Sequence, residues 1–419
     1  MAHLIHIPSP FIISLLFLLL AAKVLGEIAE RFRQPSLIGE VLAGIILGPS
    51  VFNIVNVSSD LKAIAELGVF MLIVTAGLEI RVTEIRDSVR GKNILIAICG
   101  FIIPMISGFF LGQAFNFNTS QSVFLGLSIA ITALPVSVRI LMDIGKLNTA
   151  VGQRIISAAI LNDIVTLMIL GIVLDFNDAT KSLRDIAFSS FFSILRMGFF
   201  VLILYIAYKL FRMVNREVKV VSPKLDKFIH YLRGKESLFA LVILFVLFFS
   251  GFAEVLGIHF VVGAFFGAIL IPRDLFIEGD FDKVKQTTSQ MTMGFLAPIF
   301  FAYLGVSFNI LSLNNIVLMA GIILVAVFSK ITGGYAGGLM AGLDHRRSIT
   351  IGLGLNARGM MELVIANIAL EKGFISVSLF SILVLMAMIT TLITPFMLKK
   401  AFNMIERVEE KEVPGYLRE

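Results

Sequence analysis

Residues 151–174 read VGQRIISAAILNDIVTLMILGIVL, an apolar run long enough to cross a bilayer as one helix. Asn162-Asp163 falls near its middle. A charged side chain at that depth costs about 3 kcal/mol on insertion scales, and by default it marks an ion or proton pathway. The plainer alternative is a buried aspartate satisfied by neighbouring backbone groups. Which reading holds depends on what the rest of the chain builds around Asp163.

The remainder of the chain has the same character. Its 419 residues are 58% hydrophobic and only 15% charged, with a mean hydropathy of +0.95. Soluble domains are nearer one quarter charged, so the expected fold class is an all-α polytopic membrane protein. The single cysteine, Cys99, excludes an intramolecular disulfide framework. The first apolar stretch runs on to Lys23 and Glu27 without a small-residue cleavage pattern, so no cleavable signal peptide is expected. Phe is abundant at 38 and Trp is absent, which leaves Tyr and Phe to form any aromatic belt.

Apolar runs predict about 13 transmembrane helices, near 10–29, 36–50, 60–79, 92–114, 121–142, 149–175, 186–211, 236–256, 258–272, 289–308, 314–341, 348–371 and 375–400. The connecting loops alternate. Those with Arg31 and Arg33, with residues 81–92, with Lys146 and Arg154, with residues 209–235 and 273–285, and with Arg346 and Arg347 are basic. Those near Asn53, Asn116, Glu254, Asn309 and Glu371 are nearly free of Lys and Arg, while Asp175 to Asp185 is mixed. The positive-inside rule then puts the N-terminus outside and the C-terminus in the cytoplasm, with a bacterial inner membrane as the expected location. The expected organisation is a first half at 1–211, a basic cytoplasmic linker at 212–235, a second half at 236–400 and a short tail at 401–419. The linker either binds anionic headgroups or is simply solvated.

The two halves echo each other. Gly44-Ile-Ile-Leu-Gly-Pro49 recurs as Gly267-Ala-Ile-Leu-Ile-Pro272, and Gly77 has a counterpart in Gly305, both about 225 residues on. Seven spans separate the copies, so the repeats are inverted in the membrane, a common plan of secondary transporters with broken helices at the repeat interface. Two candidate breaks occupy matching positions. Ile131-Thr132-Ala133-Leu134-Pro135 puts a proline inside the fifth span, where it removes a backbone donor and frees a carbonyl. Asn356-Ala357-Arg358-Gly359 interrupts the twelfth. Freed carbonyls, the Thr132 hydroxyl and the Asn356 amide suit a dehydrated cation, and half-helix ends add partial charges.

Other charges inside spans narrow the field. Lys330 sits mid-span before Thr332-Gly333-Gly334, whose small residues permit close helix approach. It needs a carboxylate, a carbonyl or loss of its proton. Arg358 and Glu362 are four residues apart and can pair. Glu40 and Glu79 lie near span ends and are read as interfacial. No metal-ligand spacing, nucleotide loop or nucleophile elbow occurs, so neither an enzyme nor a nucleic-acid partner is expected.

Residues 127–163 (LSIAITALPVSVRILMDIGKLNTAVGQRIISAAILND) resemble the monovalent cation/proton antiporters of the second cation/proton antiporter family. So do the SKITGG, GLGLNARGMMELVIANIAL and LVLMAMITTLITP segments between 329 and 395, and the stretch from Gly39 to Ser50. The likeness covers nearly the whole chain, and plant-type cation/H+ exchangers and bacterial relatives are the nearest in character. It implies a 13-span inverted-repeat homodimer whose mobile core moves like an elevator, with no cofactor. It also implies an ion and proton site at Asp163, Asn162, Thr132, Ala133, Pro135 and Asn356, where Asp163 holds the monovalent cation, and charge compensation by Lys330, Arg358 and Glu362. The chain departs from electrogenic members, which carry two adjacent aspartates, because position 162 is Asn. Its tail is too short for the nucleotide-binding domain of gated potassium efflux relatives.

These readings converge on one scheme. Asp163 takes either a proton or one monovalent cation, K+ or Na+, and only the neutralised forms cross the membrane, because an ionised empty carboxylate is costly in low dielectric. One-for-one exchange is electroneutral unless Lys330 also releases a proton. Three rivals remain: a gated K+ efflux system of the same fold without strict proton coupling, an organic-anion symporter, and a non-transporting sensor that would tolerate loss of Asp163.

Overall fold

The computed structural model describes residues 11–32, 34–89, 91–174, 183–221, 235–271, 273 and 279–412, and their regular structure is helical. In chain order the helices are α1 Phe11–Arg31, α2 Ser36–Leu47, α3 Ser59–Glu79, α4 Val82–Val89, α5 Asn93–Ala114 and α6 Thr119–Ala130. Next come α7 Leu134–Asp143, α8 Ala150–Val173, α9 Leu183–Val221, α10 Lys235–Val255, α11 Phe260–Ile269 and α12 Asp280–Met291. The last are α13 Ala297–Ser307, α14 Ile316–Met340, α15 His345–Gly354, α16 Met360–Glu371 and α17 Val377–Glu412. A π-helical turn, Thr292–Leu296, joins α12 to α13.

Among the described residues, ten helical spans are long and apolar enough to cross a membrane, counting α6–α7 and α12–α13 each as one; α2 and α11 are shorter apolar helices. The twelfth expected span, 348–371, falls on α15 and α16, with a break between them. The outward faces confirm the solvent. Leu16 and Leu20 on α1, Phe191 and Phe199 on α9, Phe248 on α10 and Phe328 on α14 are exposed. Apolar surface on that scale is untenable in water; against lipid tails it carries no penalty. Helix α9 runs on to Val221 and α17 to Glu412, past the expected span ends. Hydropathy marks where lipid stops, whereas Lys, Arg, Glu and Met continue a helix readily. Pro272, residues 175–182, residues 222–234 of the expected linker and residues 413–419 of the tail lie outside the described residues.

The chain forms two compact units. One comprises Met1–Val57, Thr83–Thr166 and Phe301–Glu419; the other comprises Ser58–Val82 and Leu167–Phe300. Both sequence halves contribute to each.

In the first unit α1 packs on α2, α5 on α6 and α14, α15 on α14 and α17, and α16 on α17. Helix α14 makes this possible through one stripe of buried residues that includes Ile322, Ala326, Ser329, Lys330, Gly333, Gly334, Gly337 and Gly338. A Cβ at Gly333 would lie 2.6 Å from Cys99 O on α5, and one at Gly334 2.5 Å from Gly352 Cα on α15. The small residues after Lys330 thus bring two neighbouring backbones into contact, as their sequence suggests. Helix α2 is held the same way: a Cβ at Gly44 would be 1.9 Å from Ala302 O. Glu40, expected near the interface, is instead 4% exposed. Its side chain lies over Gly26 of α1, where a Cβ would meet its Cγ at 3.3 Å.

In the second unit α3 packs on α11, with Gly77 against Phe265 O and Ala268. Met197, Phe200, Phe249, Ile258 and Val262 build its apolar centre. Arg273 caps the end of α3 through the Leu78 and Ile80 carbonyls at 2.8 and 2.9 Å.

Candidate ion-binding site

The first unit contains two helix interruptions that meet. Helix α6 starts firmly, with Asn118 and Gln121 forming a capping box, and stops at Ala130 because Ile131 turns extended (φ −64°, ψ 146°). Pro135 does not kink a continuing helix. It sits in the first turn of α7, where the missing N–H is one that no helix would use and its fixed φ favours initiation. Helix α15 ends at Gly354 and α16 begins at Met360, leaving Asn356 to Gly359 between them. The Ala133 N–H donates to Ala357 O at 2.9 Å, a backbone bond that joins the two breaks. Gly359 allows the approach, since a Cβ there would come within 2.8 Å of Val136 Cγ2 and 3.1 Å of Ala133 Cβ.

The end of α6 leaves backbone carbonyls without helical donors, carrying the negative end of the helix dipole. Two fully buried cations answer them. Arg358 donates to Ser128 O at 2.6 Å, Ile129 O at 2.7 Å and Ala326 O at 3.4 Å. Lys330 donates to Ala130 O and, at 3.0 Å, to Gly100 O. Lys330 therefore finds carbonyls rather than a carboxylate. The Ser128, Ile129 and Ala130 carbonyls at the end of α6 are thus bound by these two side chains. Glu362, also fully buried, lies 3.5 Å from Arg358 Nη1, one turn along, so the expected Arg358–Glu362 pair forms.

Helix α8 brings in the remaining groups. Asn162 and Asp163 are 1% and 2% exposed, on the face that also buries Ile155, Ala159, Thr166 and Leu170. The Asn162 amide donates to the Thr132 hydroxyl at 3.2 Å, tying α8 to the first break. The Asn356 amide donates to Thr394 Oγ1 at 3.2 Å. Among the described residues, buried oxygens without a hydrogen-bond partner include Asp163 Oδ1, Thr166 Oγ1, Asn356 Oδ1, Ser329 Oγ and both carboxylate oxygens of Glu362, the last lying beside Arg358. Buried polar atoms are normally satisfied, so the unpartnered carboxylate oxygen of Asp163, which has no guanidinium beside it as Glu362 has, suits a cation or a proton.

Sequence reasoning did not assign roles to the supporting threonines of α17. Thr391 donates to Arg358 O at 2.7 Å, and Thr394 receives Asn356 while donating to Thr390 O at 2.7 Å. Their signal was present in Ile389-Thr390-Thr391-Leu392-Ile393-Thr394, three hydroxyls in an apolar helix.

Membrane-length helices together with two joined helix breaks, a buried lysine, a buried arginine and two buried carboxylates define a multi-pass membrane protein of the transporter class. The fold is similar to the solved sodium proton antiporter MjNhaP1 from Methanocaldococcus jannaschii at pH 8, with a TM-score of 0.69 and 15% identity, covering 94% of this chain and 97% of that one. The profile of the family described as "Sodium/hydrogen exchanger, transmembrane" matches residues 13–403, and the chain belongs to that family. Among its relatives, the probable Na+/H+ antiporter GerT of Bacillus cereus is 30% identical over 396 residues, covering 94% of this chain and 99% of the relative. The Na+/H+-K+ antiporter GerN of the same organism is 28% identical, covering 94% and 96%. These are transporters rather than enzymes, with ions as cargo and no cofactor.

Proposed function

We propose that this protein exchanges a monovalent cation for a proton across a membrane, with Asp163 as the group both cargoes share. The observation that carries the proposal is the buried, unpartnered Asp163 Oδ1 in a chain of the sodium/hydrogen exchanger family. Proton or cation neutralises the carboxylate, and the empty ionised form is disfavoured in the low-dielectric interior. Asn162 fixes the local geometry through Thr132. Asn356 Oδ1 offers a neutral oxygen from the second break, and Ala133 and Pro135 shape the first. Arg358 and Lys330 hold the end of α6 in place, and Glu362 balances Arg358.

One carboxylate exchanging one cation for one proton moves no net charge, so the cycle is electroneutral. Lys330 is engaged by two carbonyls, and the scheme asks no proton of it. All the named groups belong to one compact unit, which supports an elevator motion carrying the site as a body. The remaining parts of the reading are thirteen crossings in two inverted halves, an outside N-terminus, a cytoplasmic C-terminus, a bacterial inner membrane and a homodimer. Na+ and K+ are both candidate cargoes, since GerT is a probable Na+/H+ antiporter and GerN a Na+/H+-K+ antiporter.

Purified protein in liposomes, given Na+, K+ or Li+, is expected to move protons against the added cation with no current on a solid-supported membrane. A cation-evoked current would contradict the neutral cycle. Cation flux that ignores a proton gradient would favour an uncoupled efflux system instead.

A further inference from the structure

Thr166 lies three residues after Asp163 and four after Asn162 on α8, a spacing that places all three on one helix face. It is 1% exposed. A buried helical threonine ordinarily donates to the carbonyl four residues back. Thr75, Thr288, Thr390 and Thr394 do so here, at 2.7–2.8 Å. The other buried threonines among the described residues are bonded as well, apart from Thr166, whose hydroxyl meets no partner, not even Asn162 O. Asp163 Oδ1, on the same face, is equally unpartnered. The packing has left one carboxylate oxygen and one hydroxyl oxygen unpartnered on residues one helical turn apart, with the local bond that would satisfy the hydroxyl forgone.

We propose that Thr166 is a direct oxygen ligand of the transported monovalent cation and takes no part in holding the proton. The inference rests on Asp163 being the shared site. A dehydrated alkali ion needs several oxygens and is discriminated by their number and field strength; a proton needs only the carboxylate. Thr166 therefore biases the competition at Asp163 toward the cation and helps decide which cation wins.

The test compares wild type, Thr166→Val, Thr166→Ser and Asp163→Asn in proteoliposomes with Na+, K+ and Li+, alongside thermal midpoints in detergent. Valine keeps the shape and deletes the hydroxyl. The KM for the cation is expected to rise about tenfold, the effect of one lost contact to a charged group, with serine restoring it. The pH of half-maximal proton binding, measured without cation, stays put, and the thermal midpoint is unchanged or higher because the hydroxyl bonds to nothing in the protein. An unchanged cation KM in Thr166→Val, with Asp163→Asn inactive, overturns the Thr166 assignment and leaves Asp163 standing. Wild-type exchange by Asp163→Asn overturns the site reading itself, and Thr166 with it. A lowered midpoint in both Thr166 variants assigns a structural role and also overturns the proposal.

Discussion

Replacing Arg358 with methionine removes the cation that closes the end of α6. Three carbonyls lose a donor, two of them bonded at 2.6 and 2.7 Å, and Glu362 loses the guanidinium 3.5 Å away. Breaking a buried pair from one side costs about 3–5 kcal/mol, mostly because a charge is left uncompensated. Replacing Glu362 as well removes that charge, so the double variant loses only the carbonyl bonds, about 1–3 kcal/mol for each carbonyl left without a donor, a loss that Arg358→Met shares. Glu362→Gln alone leaves Arg358 its three carbonyl acceptors, and its loss is the smallest of the three. Thermal midpoints in detergent should therefore fall in the order wild type, Glu362→Gln, the double variant Arg358→Met with Glu362→Met, then Arg358→Met. The reasoning is refuted if Glu362→Gln matches Arg358→Met, which would make the carboxylate the main partner of Arg358. It is also refuted if the loss in the double variant equals the sum of the losses in Arg358→Met and in a separate Glu362→Met variant, since residues this close should couple.

Two further outcomes follow from packing and from competition. Gly44→Ala places a Cβ 1.9 Å from Ala302 O and should cost about 1–3 kcal/mol, seen as a lower midpoint with unchanged cation KM. Gly198→Ala, with nothing within 4 Å, should be neutral or slightly stabilising. In wild type, lowering the pH should raise the apparent cation KM by up to about tenfold per unit wherever protons hold Asp163, without lowering the maximal rate at saturating cation; a fall in maximal rate alone would argue against competition.

Asp163 was legible because a carboxylate in an apolar run of spanning length has few ordinary explanations. The breaks were legible from Pro135 and from Asn356 to Gly359, each out of place inside a span. The Arg358–Glu362 pair was legible from its spacing, but the particular carbonyls that Lys330 and Arg358 bind were not, because every residue carries one and no sequence pattern marks it. Thr391 and Thr394 escaped notice because threonine sits comfortably in an apolar helix by bonding its own backbone. The burial of Glu40 depends on which residue of α1 faces it, and only the packed register shows that this is Gly26. The two compact units draw on both sequence halves, so the repeat boundary does not announce them.

The central claim is that one carboxylate accepts a proton or a cation but never both. Proton release on cation addition to weakly buffered, detergent-solubilised protein tests it directly, with Asp163→Asn as reference. The account predicts up to one proton released per cation bound in wild type, fading as pH rises, and none in the variant. Cation binding at low pH without proton release, or release that persists in Asp163→Asn, would contradict it.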